Sequence, residues 1–464
     1  MLRLLLSLLL FCFATAARAA PNIIVILADD LGLGDIGAYG NRVIRTPNLD
    51  RMARDGARLD NFFASANVCT PSRAGLLTGR YPARAGLAIG VAYPHTTYGL
   101  PAATPTLPGV LRAGGYRTAM LGKWHLGAAD AAWPTAHGFD SFWGVPYSND
   151  MSPLPLYRDR TVIAASTDQS RFAADMASEA RAVINTASEK PFFLYVAAIA
   201  PHVPLRPGPA FRGKSAAGLY GDAVEELDWT VGEILKAVRK AGKDRDTIII
   251  FTSDNGPWFE GSAADRRGAK GGTLEGGYAV PLLARWPGHI RPGSHSAGIA
   301  MNIDLLPTLA TIAGVSLPPG LDGKDIAPLL AGQAKSPHDS LLFFANADIA
   351  AIRTQDWRLL VSAYYQTYYA PLDKSGYRLL FDISADPGER YSVADRHPDV
   401  VARLQARIDA ARAEFGAISQ QKTDPFARLP AVLPSRPVAE GGPASRSVSG
   451  SAGSEVALMA AGRG

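Results

Sequence analysis

The sequence has little cysteine: its 464 residues contain two, Cys12 and Cys69. Residues 1–19 combine an early basic residue, an apolar run from Leu4 to Phe13 and a small-x-small site at Ala17-Arg18-Ala19, which is typical of a secretory signal peptide. We expect cleavage after Ala19, which removes Cys12. A chain with one remaining cysteine cannot form an internal disulfide, so Cys69 is either an inert buried residue or a chemically active one.

Long apolar runs and runs of like charge are also missing. After the leader, no apolar run is long enough to span a bilayer, so we expect no stable membrane anchor. Lys and Arg total 47 against 42 Asp and Glu, a formal net charge of +5 spread along the chain. This balance suits an anionic ligand, and because no groove-reading motif accompanies it we expect no nucleic-acid partner. The leader predicts export, either to a periplasm or as a secreted protein.

Five apolar segments predict β-strands. Continuous apolar runs of this length, rich in β-branched residues, are typical of strands buried on both faces of a sheet. Four of them run into acidic, amide, lysine or histidine residues, and in an α/β sheet such strand ends are where ligands bind. The five segments are 22–27, 116–121, 192–199, 247–252 and 280–285.

Helical patterns closed by glycine alternate with these strands, as before Gly56 and Gly114. The alternation predicts an α/β fold with a large, mostly parallel sheet flanked by helices. From about Ser336 the strand patterns become short and separated by turns. We predict a large domain over residues 20–335, a smaller C-terminal α+β domain with an antiparallel sheet over residues 336–422, and a disordered Pro-, Ala-, Ser- and Gly-rich tail over residues 423–464.

The most specific segment is Cys69-Thr70-Pro71-Ser72-Arg73, followed by Leu77-Thr78-Gly79-Arg80. Pro71 suits the first turn of a helix, which puts Cys69 at a helix N-terminus, where free N–H groups favour negative charge. Arg73 lies four residues on, over the same helix face. A buried structural cysteine would explain Cys69 alone, but not the adjacent proline and arginine.

This segment resembles the signature of the formylglycine-dependent sulfatases, in which the cysteine is oxidised to formylglycine. The resemblance runs from Asn22 to about Asp386 and looks closest to the arylsulfatase A and N-acetylgalactosamine-6-sulfatase branch. It implies an alkaline-phosphatase-like fold, hydrolysis of aryl or carbohydrate sulfate monoesters, and maturation of Cys69 by a separate formylglycine-generating enzyme. The other matching motifs are 28–32, 46–50, 122–127, 137–140, 200–202, 253–256 and 270–277.

Two acidic pairs at strand ends predict a metal site. Asp29 and Asp30 follow the first strand, and Asp254 and Asn255 follow the fourth. Three carboxylates and an amide offer only oxygen ligands, a set that selects Ca²⁺ or Mg²⁺ over zinc. Taken singly, each pair would be read as a turn or helix cap. The resemblance implies Ca²⁺.

Four further residues are candidates for catalysis. Lys123 and His125 are two apart, so in an extended segment both would face the same side. His202 and Lys270 are loop residues whose roles come from the resemblance alone. It implies that His202 protonates the leaving alcohol and that Lys270 grips the substrate sulfate.

A mechanism follows as a hypothesis. A hydrated formylglycine has two geminal hydroxyls, and one attacks sulfur with help from the metal and from Asp254 as a candidate base. The cations of Arg73, Lys123 and Lys270 stabilise the developing charge. The second hydroxyl, assisted by His125, then expels sulfate and restores the aldehyde.

The chain departs from the branch pattern at two places. Asn149 stands where the arylsulfatase A branch has a sulfate-binding histidine, so the Asn149 amide would have to serve as the donor. Ala279 stands where many relatives carry an arginine. We predict Asn149 and Asp150 as substrate-binding residues. Other loop residues that would line the pocket are His95, Arg206 and Trp258.

Two alternatives remain open from the sequence. One is a phosphate or phosphonate ester hydrolase of the same superfamily, since the fold and the metal ligands would be shared. The other is a non-catalytic carbohydrate-binding relative. The charge of the preferred substrate separates the first from a sulfatase, and an unconverted Cys69 would favour the second.

Overall fold

The computed structural model describes residues 20–333, 335–365 and 368–420, without the side chains of residues 364–369 and 417–420. The predicted signal peptide (1–19) and the predicted tail (423–464) lie outside the described residues, so both stay predictions. Within the described ranges, no helix combines the length and the apolar character needed to cross a bilayer.

Strands and helices are interspersed over the first two thirds of the chain. In chain order the strands are β1 (Asn22–Ala28), β2 (Ala57–Leu59), β3 (Phe62–Phe63), β4 (Arg117–Lys123), β5 (Ser141–Val145), β6 (Leu156–Arg158), β7 (Thr161–Ala164), β8 (Phe192–Ala197), β9 (Thr247–Ser253), β10 (Leu282–Arg285), β11 (Ser294–Ser296), β12 (Ala300–Met301), β13 (Leu341–Ala345), β14 (Asp348–Arg353), β15 (Trp357–Leu360), β16 (Ala363–Tyr365), β17 (Tyr368–Ala370) and β18 (Leu379–Asp382). The helices are α1 (Pro47–Arg54), α2 (Cys69–Thr78), α3 (Pro82–Ala85), α4 (Leu107–Ala113), α5 (Gln169–Asn185), α6 (Gly218–Lys240), α7 (Leu305–Ile312), α8 (Ala327–Leu330) and α9 (Pro398–Gln420).

Ten of these strands form one mixed sheet, in the order β11-β2-β10-β9-β1-β8-β4-β5-β6-β7. Its centre is parallel, because β9, β1, β8, β4 and β5 all run the same way. Along β1, Ile23, Val25 and Leu27 face one hydrophobic layer while Ile24 and Ile26 face the other. Burial on both faces explains the unbroken apolar sequence of these strands. The predicted large, mostly parallel sheet flanked by helices is confirmed.

The strand predicted at 280–285 runs against its neighbours. It appears as β10, which pairs antiparallel with both β9 and β2. A parallel return would need a crossover connection, usually a helix, and the segment between β9 and β10 contains none of the described helices. The amino end of β10 therefore lies at the sheet edge where β9 ends.

The predicted antiparallel sheet near the C-terminus is also confirmed, as β13, β14, β15 and β18. Its core includes residues of the larger part of the chain: the ring of Phe343 packs edge-on against Phe63 and Tyr278, with centroids 5.2 and 4.9 Å apart. The predicted domain boundary at residue 336 stays a prediction.

Candidate active site and metal centre

The carboxyl ends of β1, β9 and β4 bring most of the predicted site residues to one edge of the sheet. Asp29 and Asp30 follow β1, Asp254 and Asn255 follow β9, and Lys123 is the last residue of β4. Short backbone contacts fix these ends together: the Asp29 N–H donates to Ala200 O and the Asp254 N–H donates to Ala28 O, each at 3.1 Å. The carboxyl ends of parallel strands share an edge, so residues far apart in sequence form one cluster.

Cys69 is the first residue of α2, a helix whose ten residues are all buried. Its Sγ lies 3.6 Å from Asp29 Oδ1 and 3.9 Å from Lys123 Nζ. Burial raises the pKa of the Cys69 thiol, because the effect of burial outweighs the opposing charges of Lys123 and Lys270. The side chain is therefore a neutral thiol at the centre of a charged cluster.

Arg73, one turn along α2, ties three parts of the cluster together. Its Nε donates to Asp254 Oδ2 at 2.9 Å, its Nη1 donates to Lys123 O at 2.7 Å, and its Nη2 lies 3.5 Å from Asp29 Oδ1. The guanidinium is 1% exposed, so these contacts are shielded from solvent. The predicted placement of Arg73 over the same helix face as Cys69 agrees with this geometry.

Lys123 and His125 both lie in the cluster, but the reason given from the sequence was wrong. Lys123 Nζ donates to Asp29 Oδ2 at 2.5 Å, as expected of an inward-facing strand end. His125, however, has a φ of 60°, so the segment is not extended there. Non-glycine residues in this left-handed region are uncommon and often mark functional sites.

The ring of His125 is buried with one nitrogen free of protein partners. Its Nε2 lies 3.1 Å from Ala92 O, whereas its Nδ1 is buried and unpaired within the described residues. Burial and the charge of Lys123 lower the pKa of His125 well below its ordinary value. The imidazole is therefore neutral and has one nitrogen available for proton transfer.

His202 and Lys270 reach the cluster from loops and meet at the same carboxylate. Lys270 Nζ donates to Asp30 Oδ2 at 2.8 Å, and His202 Nε2 lies 3.6 Å from that oxygen. Burial alone would lower the pKa of Lys270, but the nearby carboxylates of Asp30 and Asp29 oppose it and the pKa is raised. Burial, followed by the charge of Lys123, lowers the pKa of His202. Lys270 is therefore a fixed positive charge in the cluster.

A group of buried side chains in the cluster could hold a metal ion. One ligand atom from each of Asp29, Asp30, Cys69 and His202 lies within 4.8 Å of the others. Asn255 Nδ2 donates to Asp30 Oδ1 at 2.7 Å, and the buried Asn255 Oδ1 has no hydrogen-bond partner in the described part of the chain. A buried carbonyl oxygen without a donor is costly unless a cation or water satisfies it. Oxygen ligands of this kind suit Ca²⁺ or Mg²⁺.

Asp254 takes a different place from the other predicted ligands. Its Oδ2 accepts from Arg73 and its Oδ1 accepts from the Asp30 N–H at 3.2 Å. Burial, with the negative charge of Asp29, raises the pKa of Asp254. A nearby divalent cation would favour the ionised form, so the position is compatible with a ligand that also anchors Arg73.

Ser148 belongs to the cluster although the sequence reading did not single it out. Its Oγ accepts from Lys123 Nζ at 2.9 Å, and it follows β5, the parallel neighbour of β4. The sequence indicated roles for its neighbours Asn149 and Asp150 only. A polar residue just past a fifth parallel strand was the available signal.

The predicted substrate-binding residues lie at the margin. Asn149 is buried, with its Nδ2 donating to Gln169 Oε1 at 3.0 Å and its Oδ1 unpaired among the described residues. Asp150 is exposed and lines an open cleft with Asn149, Val203 and Pro204. The structure thus joins neither side chain directly to Cys69. His95 and Arg206 are exposed, while Trp258 is half-buried beside Lys270.

A family model described as Sulfatase matches residues 21–315, more than half of the chain. The chain is a member of the sulfatase family. A second model, described as the C-terminal part of N-sulphoglucosamine sulphohydrolase, matches residues 270–414 of this sulfatase. Conversion of a cysteine to formylglycine and use of a metal ion are general to the family.

Named relatives cover most of this sulfatase. It is 39% identical to arylsulfatase A of Bos taurus, over 87% of this chain and 89% of the relative. It is 37% identical to N-acetylgalactosamine-6-sulfatase of Rattus norvegicus, over 68% of this chain and 67% of that protein. The crystal structure of the PsFucS1 sulfatase from Pseudoalteromonas sp. matches with a TM-score of 0.78 and 29% identity, over 87% of this chain and 92% of that one.

Proposed function

We propose that this sulfatase hydrolyses sulfate monoesters with a formylglycine made from Cys69, next to a bound Ca²⁺. One observation carries the proposal: Cys69 Sγ lies 3.6 Å from Asp29 Oδ1 and 3.9 Å from Lys123 Nζ, at the start of a buried helix. The raised pKa of the buried thiol makes an unmodified Cys69 a weak nucleophile. When hydrated, formylglycine supplies two hydroxyls on one carbon, one to take up the sulfo group and one to expel it as sulfate.

Charge balance within the cluster supports an anionic substrate. The carboxylates of Asp29, Asp30 and Asp254 are matched by the cations of Arg73, Lys123 and Lys270. A bound Ca²⁺ would raise the local charge by two units in a buried, low-dielectric setting. Asp29, Asp30, Asp254 and Asn255 would hold the ion, which would contribute a fixed positive charge beside the sulfate oxygens.

Each residue around Cys69 has its own role in the proposed reaction. Lys123 and Lys270 bind the sulfate oxygens, and Arg73 fixes the carboxylate of Asp254 and the backbone of Lys123. His202 protonates the leaving alcohol oxygen. His125, with its free Nδ1, takes the proton whose loss allows sulfate to leave. Ser148 orients the Lys123 ammonium, and Asn149 with Asp150 contacts the alcohol portion from the cleft.

Two conditions outside the described residues complete the proposal. A formylglycine-generating enzyme converts Cys69 during or after synthesis, and residues 1–19 direct export. The substrates are aryl sulfates or sulfated carbohydrates, by analogy with relatives named as an arylsulfatase and as an N-acetylgalactosamine-6-sulfatase.

The Cys69→Ser variant tests the need for two hydroxyls. A single hydroxyl can accept the sulfo group, but no second one is present to expel it, so we expect the enzyme to stop as a stable sulfate ester on residue 69. Incubation with 4-nitrophenyl sulfate followed by intact-protein mass spectrometry should show a mass gain of one sulfo group and at most one equivalent of nitrophenol.

The matched control is Ser72→Ala, which removes a hydroxyl from the same helix. That hydroxyl contacts Asp254 O and Asn302 rather than the charged groups of the cluster. This variant should turn over repeatedly. Steady multiple turnover by the Cys69→Ser variant would contradict the proposed chemistry.

A further inference from the structure

The loop that presents Lys270 has little regular structure of its own. Within it, Gly268 and Gly271 have positive φ angles of 98° and 80°, and one 3₁₀ turn spans Glu275–Gly277. Two backbone bonds hold the residue itself: the Lys270 N–H donates to Pro257 O at 2.8 Å, and the Gly271 N–H donates to Asn67 O at 2.9 Å. Such a loop needs external support if it is to keep an ammonium group 2.8 Å from Asp30.

That support includes a buried carboxylate at the end of the loop. The Glu275 side chain is 0% exposed, accepts from Arg266 Nη1 at 2.5 Å and accepts from Arg353 Nε at 3.0 Å. Burial alone would raise the pKa of Glu275, but the charges of Arg353, Arg266 and Arg358 outweigh it and lower the pKa. Glu275 is therefore an ionised group in the protein interior.

The ionic network continues into the C-terminal antiparallel sheet and the segment that follows it. Arg353 ends β14, Arg358 lies in β15, and Glu389 follows β18. Arg358 forms a fully buried ion pair with Glu389 and donates from Nη2 to Thr273 O at 2.5 Å. Glu389 Oε2 in turn accepts from the Glu275 N–H at 2.5 Å.

The network reaches the loop's backbone as well as its side chains. Arg358 of the sheet donates to the Thr273 carbonyl, and Glu389 accepts from the Glu275 N–H. Arg267 Nη1 in turn donates to Glu389 O at 2.9 Å. Burying ions costs several kcal/mol each, and apolar contacts of the same volume often stabilise a fold as well or better. Apolar contacts cannot hold specific backbone groups in place, whereas these ionic side chains do. The network is therefore suited to fixing the geometry of the Lys270 loop.

We infer that Glu275, Glu389 and Arg358 are positioning residues, through which the C-terminal sheet sets the place of the Lys270 ammonium in the sulfate site. The inference rests on the proposed role of Lys270 as a sulfate-binding group. It gives the C-terminal sheet a part in the reaction although none of its residues touches the substrate.

A double-mutant cycle with direct sulfate binding tests the inference. Calorimetric titration of inorganic sulfate into the calcium-loaded enzyme gives the Kd for Lys270→Ala, Glu275→Gln and the combined variant. Loss of one charge-assisted bond predicts that Lys270→Ala raises the Kd by about tenfold or more. Glu275→Gln should raise it by about three- to tenfold alone, but by less than about twofold when Lys270 is already Ala.

Two further variants distinguish a positioning role from a general loss of stability. Arg358→Lys keeps the charge opposite Glu389 but cannot also reach Thr273 O, so it should weaken sulfate binding in the same Lys270-dependent way even if Glu275→Gln folds poorly. Asp244→Asn breaks a paired contact with Arg285 at the opposite sheet edge, 2.8 and 2.9 Å long. It should lower the Tm and leave the Kd unchanged.

The outcomes separate the inference from the function beneath it. An unchanged Kd in Lys270→Ala would overturn the proposed role of Lys270 and the inference with it. The positioning role alone would be overturned if Lys270→Ala raises the Kd as expected but Glu275→Gln and Arg358→Lys leave it unchanged. It would also be overturned if these two substitutions raise the Kd equally with Lys270 present and with Lys270 replaced by Ala.

Discussion

At the scale of single residues, one unpaired oxygen gives the most direct support for the proposed metal position. Asn255 uses its Nδ2 on Asp30 and Gly256 O, and its Oδ1 is left buried without a protein donor among the described residues. Asp30 has a positive φ of 65°, which turns its carboxylate toward Lys270 and His202. Strain and an unpaired acceptor at adjacent strand ends are the features expected where a ligand completes the structure.

The Asn255→Ala variant should lose metal affinity without losing its fold. Removing a ligand oxygen should weaken Ca²⁺ binding by at least about tenfold, as changes at metal sites commonly do. Titration of Ca²⁺ into chelator-treated protein measures the change. Asn22→Ala is the matched control, because Asn22 lies at the opposite end of β1 and bonds to Asp246 O and Thr247 Oγ1. Equal affinities for the two variants would remove Asn255 from the site.

An aromatic residue beside Lys270 points to substrates whose alcohol portion has a ring. The Lys270 Nζ lies 5.8 Å from the Trp258 ring centroid, and Trp258 packs edge-on against the exposed Phe259 at 4.5 Å. Loss of one aromatic contact is worth about 0.5–1.5 kcal/mol, so Trp258→Ala should raise KM for 4-nitrophenyl sulfate about two- to tenfold. The Kd of the Trp258→Ala variant for inorganic sulfate should not change.

Trp286→Ala is the control for Trp258, since Trp286 stacks on His289 just past the far end of β10. A parallel rise in KM and in the sulfate Kd for Trp258→Ala would mean that the residue shapes the sulfate site rather than the ring site.

At the scale of elements, the carboxyl ends of the parallel strands bring most of the site residues together. The sequence pattern predicted β1, β4, β8 and β9 and the polar residues after them, because strands buried on both faces have unbroken apolar sequences. It did not predict the turn at His125. There Gly122 has a φ of 102°, and a Cβ on it would lie 1.8 Å from Ala197 O, so glycine allows β4 to approach β8 closely. Contacts between strands distant in sequence decide such details.

Helix α6 carries a carboxyl group that should make stability depend on pH. Glu226 is buried, its carboxyl oxygens accept from the Gly208 N–H, and burial raises its pKa from 4.5 to about 7. The cavity that it lines also contains the ionisable residues His202 and Arg206. Because the folded-state pKa is the higher one, this contribution to stability is complete below about pH 4.5 and is lost as the pH rises through about 7.

The Glu226→Gln variant should remove that dependence. The pKa difference corresponds to about 3 kcal/mol between the two limits. Thermal unfolding at pH 5 and pH 8 should therefore show a smaller loss of Tm at pH 8 for the variant than for the parent protein. Glu233→Gln is the control, because Glu233 is a partly exposed residue of α6 that pairs with Lys236 and with Arg181 of α5. An unchanged difference in Tm would mean that Glu226 is ionised at no cost in the folded protein.

At the scale of the whole molecule, the sequence predicted the central sheet and the catalytic candidates better than their surroundings. A motif fixes which residues follow a strand, so Asp29, Asp254, Cys69 and Lys123 could be found one by one. The ion network from Glu275 to Glu389 could not, because it joins a loop to strands that follow it by more than seventy residues along the chain. Nothing in the local pattern of a buried glutamate reveals its partner.

On the proposed mechanism, activity comes from the aldehyde at residue 69. Preparations expressed with different amounts of a formylglycine-generating enzyme should be compared by mass spectrometry of the peptide that contains residue 69 and by the rate of 4-nitrophenyl sulfate hydrolysis. We expect the rate to rise in proportion to the aldehyde fraction and to vanish with it. Full activity in a preparation whose residue 69 is an intact thiol would show that the reaction does not need the aldehyde.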